Sequence, residues 1–319
     1  MQEIELHDIL KKKLNYLCDY AWGHRIRWDD ICEWLENFEN NTHDYNYGKI
    51  HMLFLLSQFM YFGDRELREM IKALYRDKIR YNAISKVRKE NNNTLDRDVI
   101  ESAYKDELSK TRFLGVGNPS ESGTHLLYYF RQENDLPKDL FINSHKIIKR
   151  DGQSISLLND TVKHYVFIDD LSGSGTQACD YSSDILEDIK SLDPEVQVSY
   201  YVLFATDEGL SKIRDETLFD NVGCIFELDK TFKAFDDNSR FFKNTPDIIK
   251  KNIAHQVSLK YGNMLYPDDP LGYKDGQLLL GLFHNTPDNT LPTIWSESLS
   301  SISWRPIFKR YHKNYGWSI

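Results

Sequence analysis

The rhythm of hydrophobic positions changes once along the chain, near Arg112. Up to about residue 90 the apolar residues recur at helical spacing. Ile9, Leu14, Leu17 and Cys18 form one such set, and Ile31, Trp34, Leu35 and Phe38 form a second. Asp29 and Asp30 stand just ahead of the second set, where acidic residues favour a helix start. A polar, Asn-rich connection runs from Asn40 to Asn46. A third helix is predicted over Ile50 to Phe62. A fourth is predicted after a capping Asp64, with Leu67, Met70, Ile71, Leu74 and Tyr75 on one face. The run Lys89-Glu-Asn-Asn-Asn-Thr94 reads as a linker, and Leu95 to Ser109 as a last helix.

Beyond Arg112 the apolar runs shorten and lose their helical period. Phe113 to Val116 is one, closed by Gly117-Asn-Pro-Ser-Glu-Ser-Gly123, after which Leu126 to Phe130 is helix-like. Tyr165 to Ile168, Val196 to Ala205, Val222 to Leu228 and Leu278 to Phe283 read as further strands. Ala178 to Ile189 and Glu208 to Arg214 read as helices between them. Strands alternating with helices imply a mostly parallel, Rossmann-like sheet covered on both faces. The expectation is therefore an α/β fold preceded by an α-helical N-terminal region. The boundary is placed between residues 1–94 and 95–319.

Composition narrows the function classes. The chain has 319 residues, 40% of them hydrophobic and 28% charged, which is enough apolar material for a large core. The formal net charge of −9 argues against a broadly basic surface and strong free nucleic-acid binding. The four cysteines, Cys18, Cys32, Cys179 and Cys224, form no CxxC pair, so neither a disulfide framework nor a protein-held metal site is expected. The first residues are acidic and lack an apolar run, and no stretch is long enough to span a bilayer. A cytoplasmic protein without membrane contact is expected.

The candidate chemistry lies in Val166-Phe-Ile-Asp-Asp-Leu-Ser-Gly-Ser-Gly-Thr176. A buried strand ends in Asp169 and Asp170, and a loop of Ser172, Gly173, Ser174, Gly175 and Thr176 leads into a helix. Ligands of open α/β sheets bind beyond the carboxyl ends of the strands. Glycines let the backbone approach an anion, and successive amides and the helix N-terminus supply donors. The two carboxylates are suited to sugar hydroxyls, or to magnesium held through water. The chain contains no G-x-x-x-x-G-K-[ST], and Ser174 lacks the G-x-S-x-G frame of a hydrolase elbow.

This loop resembles the phosphoribosyl-diphosphate loop of type I phosphoribosyltransferases. It is one residue shorter between the acidic pair and the final Thr than is usual there. The resemblance implies that Asp169 and Asp170 bind the ribose 2- and 3-hydroxyls and act as the catalytic carboxylates, while Ser172 to Thr176 bind the 5-phosphate. It also implies a second loop for pyrophosphate, offered by Gly117, Asn118, Ser120, Ser122 and Gly123. The usual basic residue is missing from that loop, and Glu121 opposes an anion. Mg2+ would accompany the diphosphate substrate.

A third segment, Phe283-His-Asn-Thr-Pro-Asp-Asn-Thr-Leu-Pro292, offers His284, Asn285, Asp288 and Asn289 as pocket residues. Together the three segments resemble the phosphoribosyltransferase-like domains of bacterial conflict systems, which accompany antiphage modules including some retrons. That resemblance implies a defence role and a ribose-phosphate or nucleotide ligand. Three readings stand: a phosphoribosyltransferase-like effector; a non-catalytic sensor docking a reverse transcriptase, ATPase or RNA; and a glycosidase-like effector cleaving nucleotides or NAD. Trp22, Trp28 and Trp34 share no single helical face and are expected to pack at separate sites. The basic run Arg305 to Lys313 is expected to be a solvated tail.

Overall fold

A computed structural model describes residues 3–39, 41, 42, 45, 46, 48–117, 122–152, 154–297 and 303–311. The chain divides into two compact units, residues 1–67 with 229–319, and residues 68–228. The boundary expected between 94 and 95 coincides with neither cut. Lys89 to Thr94 is a helix-to-helix turn inside the second unit. The helix Tyr81–Glu90 ends there, Asn92 and Asn93 adopt φ of +55°, and Asp96 caps the helix Arg97–Ser109. Asparagine tolerates that left-handed backbone better than most residues, which is why an Asn run can serve so tight a reversal.

The second unit carries a four-stranded sheet: β1 (Thr111–Gly115), β2 (His164–Ser172), β3 (Gln197–Thr206) and β4 (Asn221–Leu228), in that spatial order. All three pairings are parallel. The connecting helices are α1 (Ser122–Glu133), α2 (Thr176–Leu192) and α3 (Asp207–Glu216). Strand alternation sorts the side chains between two faces. Leu114, Tyr165, Phe167, Val198, Tyr200 and Val202 pack with Ala178, Leu186, Ile189, Leu210 and Ile213 of α2 and α3. On the opposite face the Phe113 ring meets Phe130 of α1 at 5.3 Å, and Phe130 meets Tyr75 at 5.8 Å. Both faces are therefore covered, which explains the near-continuous apolar character of β2 and β3. An antiparallel hairpin, Ile148–Asp151 with Ser154–Leu157, interrupts the connection from α1 to β2. Its short exposed strands carry no long apolar run that could have announced them.

The first unit is mainly helical. Leu6, Leu10, Leu14 and Cys18, spaced by four, form the buried stripe of its first helix, Glu3–Tyr16, and the turn after it. Ile9, expected on that stripe, is 46% exposed because it lies one position off the row of four. Trp22 and Trp34 are fully buried, and Trp34 donates its indole N–H to the Thr293 carbonyl at 2.9 Å. The partly buried Trp28 sits beside Lys11 and His7. The three tryptophans thus fill separate sites.

The helix expected over Ile50 to Phe62 is shorter, Gly48–Leu56. It is apolar all round, so period alone could not separate it from the equally apolar residues after Leu56. Met60–Phe62 instead forms a parallel strand with Leu280–Leu282. Gly281 makes the pairing workable, since a Cβ there would lie 2.8 Å from the Phe59 ring. The strand expected at Leu278 to Phe283 accordingly belongs to this pair rather than to the four-stranded sheet.

Candidate functional site

β1 and β2 are neighbours, with Gly115 opposite Ile168, so Asp169 and Asp170 lie in β2 just beyond the carboxyl end of β1, where β2 continues beside β3 to Ser172. Gly117 has φ of +91°, a conformation that favours glycine. Asn118 and Ser120 lie outside the described residues. Ser122 and Gly123 open α1, and only their backbone is described.

Asp169 and Asp170 are buried, 6% and 8% exposed. The Asp169 carboxylate accepts the Asp170 N–H at 3.0 Å and the Tyr200 hydroxyl at 3.3 Å. Asp170 accepts the Leu171 N–H at 2.8 Å. Burial, and next the charge of Asp170, push the Asp169 carboxyl well above its usual value. Burial and the charge of Asp169 raise the Tyr200 hydroxyl likewise. Ser172 lies close enough to act on Tyr200, but no hydrogen bond of sound geometry reaches its buried Oγ.

The loop then turns into α2 through Gly175, the N-cap residue, at φ of +73°. Ser174 donates its hydroxyl to Thr176 Oγ1 at 3.1 Å. Lys212 of α3 donates to the same oxygen at 3.1 Å. Thr206 caps α3 by accepting the Gly209 N–H at 2.9 Å, and its hydroxyl donates to the Gly173 carbonyl. A Cβ on Gly209 would lie 2.4 Å from that carbonyl, and one on Gly175 would lie 2.8 Å from the Gly209 carbonyl. The loop is therefore laid directly on the start of α3. The 17-residue helix α2 begins directly after this turn, and the Thr176 N–H donates to Ser174 Oγ at 3.5 Å.

Three of these residues escaped sequence reading. Tyr200 is one of two adjacent tyrosines in an apolar run, and only strand register shows which of them faces Asp169. Thr206 carried a signal, a hydroxyl ahead of a helix, but its reach to Gly173 is tertiary. Lys212 supplies a cation that the Gly117 segment lacks, from a helix 36 positions after Thr176.

His284, Asn285, Asp288 and Asn289 belong to the other unit. Asn285 accepts the Tyr311 N–H at 2.8 Å, Asp288 pairs with Arg310 at 2.8 Å, and Asn289 donates to the Tyr273 carbonyl at 3.1 Å. The first two of these contacts hold Arg310 and Tyr311, and the third holds Tyr273. Within the basic run, Arg305 pairs with Asp30 and Glu33, and Lys309 with Glu297. Its described cations are thus engaged in ion pairs rather than left as a free tail. The four cysteines are all free thiols. Among the described residues no His, Cys, Asp and Glu cluster is arranged to hold a metal, and no helix is long and apolar enough to cross a membrane.

A parallel α/β sheet with an acidic pair and a Ser/Gly loop at one strand end defines a phosphoribosyltransferase-like domain. The chain belongs to the PRTase-CE family, whose model matches residues 31–310. No curated protein matches it. Among solved structures it is similar to orotate phosphoribosyltransferase from Aeropyrum pernix, at 16% identity and a TM-score of 0.24, over 42% of this chain and 78% of that one. It is also similar to a Helicobacter pylori xanthine-guanine-hypoxanthine phosphoribosyltransferase, at 15% identity and a TM-score of 0.23, over 39% and 82%. The AQ2163 protein from Aquifex aeolicus aligns at 13% identity and a TM-score of 0.29, over 72% and 96%. At these scores the likenesses add nothing to the family assignment.

Proposed function

We propose that the segment from Asp169 to Thr176 binds the ribose-phosphate part of phosphoribosyl diphosphate or a related nucleotide. Asp169 and Asp170 take the ribose hydroxyls. The backbone of Gly173 to Thr176, with the hydroxyls of Ser172, Ser174 and Thr176, takes the 5-phosphate. Lys212 balances its charge. The observation that carries this reading is the stacking of the glycine loop on α3, which places the start of α2, the Thr176 hydroxyl and Lys212 together. The segment that follows β1 from Gly117 would take the diphosphate, with Glu121 opposing it and no cation of its own. Two buried carboxylates and several hydroxyls form a hard oxygen donor set that fits Mg2+, which would neutralise the diphosphate when bound.

Catalysis on this reading is glycosyl transfer at the ribose C1, with pyrophosphate leaving. One observation favours binding without transfer. Burial and the neighbouring Asp170 disfavour the charged form of Asp169, which makes it less suited to stabilise an oxocarbenium-like transition state. The role in antiphage defence, in a cytoplasmic setting and with a protein or RNA partner, belongs to the same proposal and rests on the sequence resemblance.

Calorimetry with phosphoribosyl diphosphate and Mg2+ tests the reading. Wild type should bind, and Asp169→Asn with Asp170→Asn should abolish binding. Absence of any ribose-phosphate binding by wild type would remove the proposal.

A further inference from the structure

The four-stranded sheet ends at β4 (Asn221–Leu228), which pairs with β3 on one side and, among the described residues, with no strand on the other. A bare strand edge offers main-chain groups to another strand, and proteins usually blunt it with proline, lysine, a bulge or a covering element. β4 carries neither proline nor lysine, and its register with β3 runs from Asn221 to Leu228 without an inserted residue. Asn221 and Glu227 are exposed and Val222 to Phe226 half-buried, whereas the adjoining β3 residues Val198 to Ala205 are all buried. Among the described residues, no hydrogen bond from outside the sheet reaches the main chain of Gly223, Cys224, Ile225 or Glu227. Val222 receives one, a long contact of 3.5 Å from Arg214 to its carbonyl.

In a two-fold dimer, residue i of one copy opposes residue j of the other, and j opposes i. Successive residues of a strand turn their N–H and C=O to opposite edges, so only every second residue can bond outward. Opposed residues therefore share parity, and the axis passes through a residue rather than between two. An axis at Cys224 engages the strand from Asn221 to Glu227. Asn221 then faces the partner's Glu227, Val222 the partner's Phe226, and Gly223 the partner's Ile225. Polar ends meet polar ends, and the apolar centres meet each other. Lys78, in the helical segment Leu74–Arg80, reaches the same edge, its Nζ 3.8 Å from where a Cβ on Gly223 would stand. Neither Lys78 nor Glu227 forms an ion pair among the described residues. In this register Gly223 is the diagonal neighbour of the partner's Glu227 on the same face, about 7–8 Å away and within reach of a long side chain.

We propose that the protein forms a two-fold dimer in which β4 pairs antiparallel with β4 of a second copy, centred on Cys224. The two four-stranded sheets join into one, the bare edge is removed, and Lys78 of each copy meets the partner's Glu227. The dimer does not depend on the ribose-phosphate reading, since no residue from Asp169 to Thr176 takes part.

Sedimentation equilibrium of the full chain should show a reversible dimer. Glu227→Lys, at an exposed position, sets like charges together twice and should raise the dimer dissociation constant by about tenfold or more. Adding Lys78→Glu exchanges the pair and should recover most of that loss, which damage to the fold would not allow. The same axis places the two Cys224 Cα atoms about 4.5–5.5 Å apart, inside the range of about 4.4–6.8 Å that a disulfide spans. Cys224 is a free, half-buried thiol. Diamide, which takes up two protons and two electrons as the bond forms, should link the wild type into a covalent dimer. Of the four single Cys→Ser variants, only Cys224→Ser should prevent this. A monomer at every concentration, or a dimer indifferent to Glu227→Lys, would overturn the proposal. A dimer that diamide links through Cys18, Cys32 or Cys179, or not at all, would overturn the register.

Discussion

Lys212 donates to the hydroxyl of Thr176 across 3.1 Å, joining the second turn of α3 to the first residue of α2. The contact brings a cation to a Ser/Gly loop that contains none. If the loop holds a phosphate, this lysine should discriminate phosphorylated from unphosphorylated sugars. Lys212→Met is expected to weaken ribose 5-phosphate binding by about tenfold, the scale of one charge-assisted hydrogen bond. Binding of ribose itself should not change, and Lys212→Arg should recover part of the loss. Equal losses for both ligands in calorimetry would show that the lysine only supports the fold.

Asp169 is buried beside Asp170, and its carboxyl is raised well above the usual 3.8. The folded protein therefore holds this proton more tightly than the unfolded chain does. That contribution to stability is complete below about 3.8 and is lost as pH rises through the folded value. Asp169→Asn keeps the shape and removes the titration. It should melt higher than wild type at neutral pH, with the gap closing as pH falls toward the ordinary carboxylate range. Melting temperatures across a pH series check this; a variant less stable at neutral pH contradicts it.

Thr206 holds two elements at once, the Gly209 N–H of its own helix and the Gly173 carbonyl of the loop. Thr206→Val deletes both bonds and leaves the size almost unchanged. The loss of an N-cap costs about 1 kcal/mol, and leaving the part-buried Gly173 carbonyl without this donor adds to it. The urea midpoint should fall accordingly, and ribose-phosphate affinity should fall with it because the loop loses its tether. Thr206→Ser should restore most of both.

Gly209 lies against the backbone of both Gly173 and Gly175. Gly175→Ala meets a left-handed φ of +73° and the Gly209 carbonyl at 2.8 Å. The backbone alone costs about 1–2 kcal/mol, before any steric shift. Gly209→Ala meets the Gly173 carbonyl at 2.4 Å and should be at least as damaging. Denaturant titration of both variants measures the cost. Unchanged stability in either would mean that the loop does not lie on α3 in this way.

His164 opens β2 at the end of the strand away from the acidic pair. Burial of its ring, which is hydrogen-bonded with Ser199 Oγ at 2.8 Å, lowers its value from 6.5 to about 4. The unfolded chain then binds more protons between these values, so stability should fall as pH drops from 6.5 toward 4. His164→Gln should flatten that part of the stability profile in urea titrations at stepped pH. An unaltered acid limb would place the titrating group elsewhere.

Much of this protein is dictated by local sequence. The runs Tyr165 to Ile168, Val196 to Ala205 and Val222 to Leu228 became strands because each is apolar, short and bounded by turn or helix-start residues. The stretch from Asp169 to Thr176 showed its acidic pair and glycine turn directly, since strand, loop and helix start are contiguous there. Tertiary structure decided whatever depends on partners distant in the chain. Met60 to Phe62 became a strand because Leu280 to Leu282 offers it a parallel edge, with Gly281 leaving room for Phe59. Asp169 acquired its raised titration from burial and its Tyr200 contact from register in β3. Lys212 reached Thr176 because the glycine loop packs on the start of α3. Hydrophobic period reports the faces an element can bury, but not which residues from elsewhere meet it there.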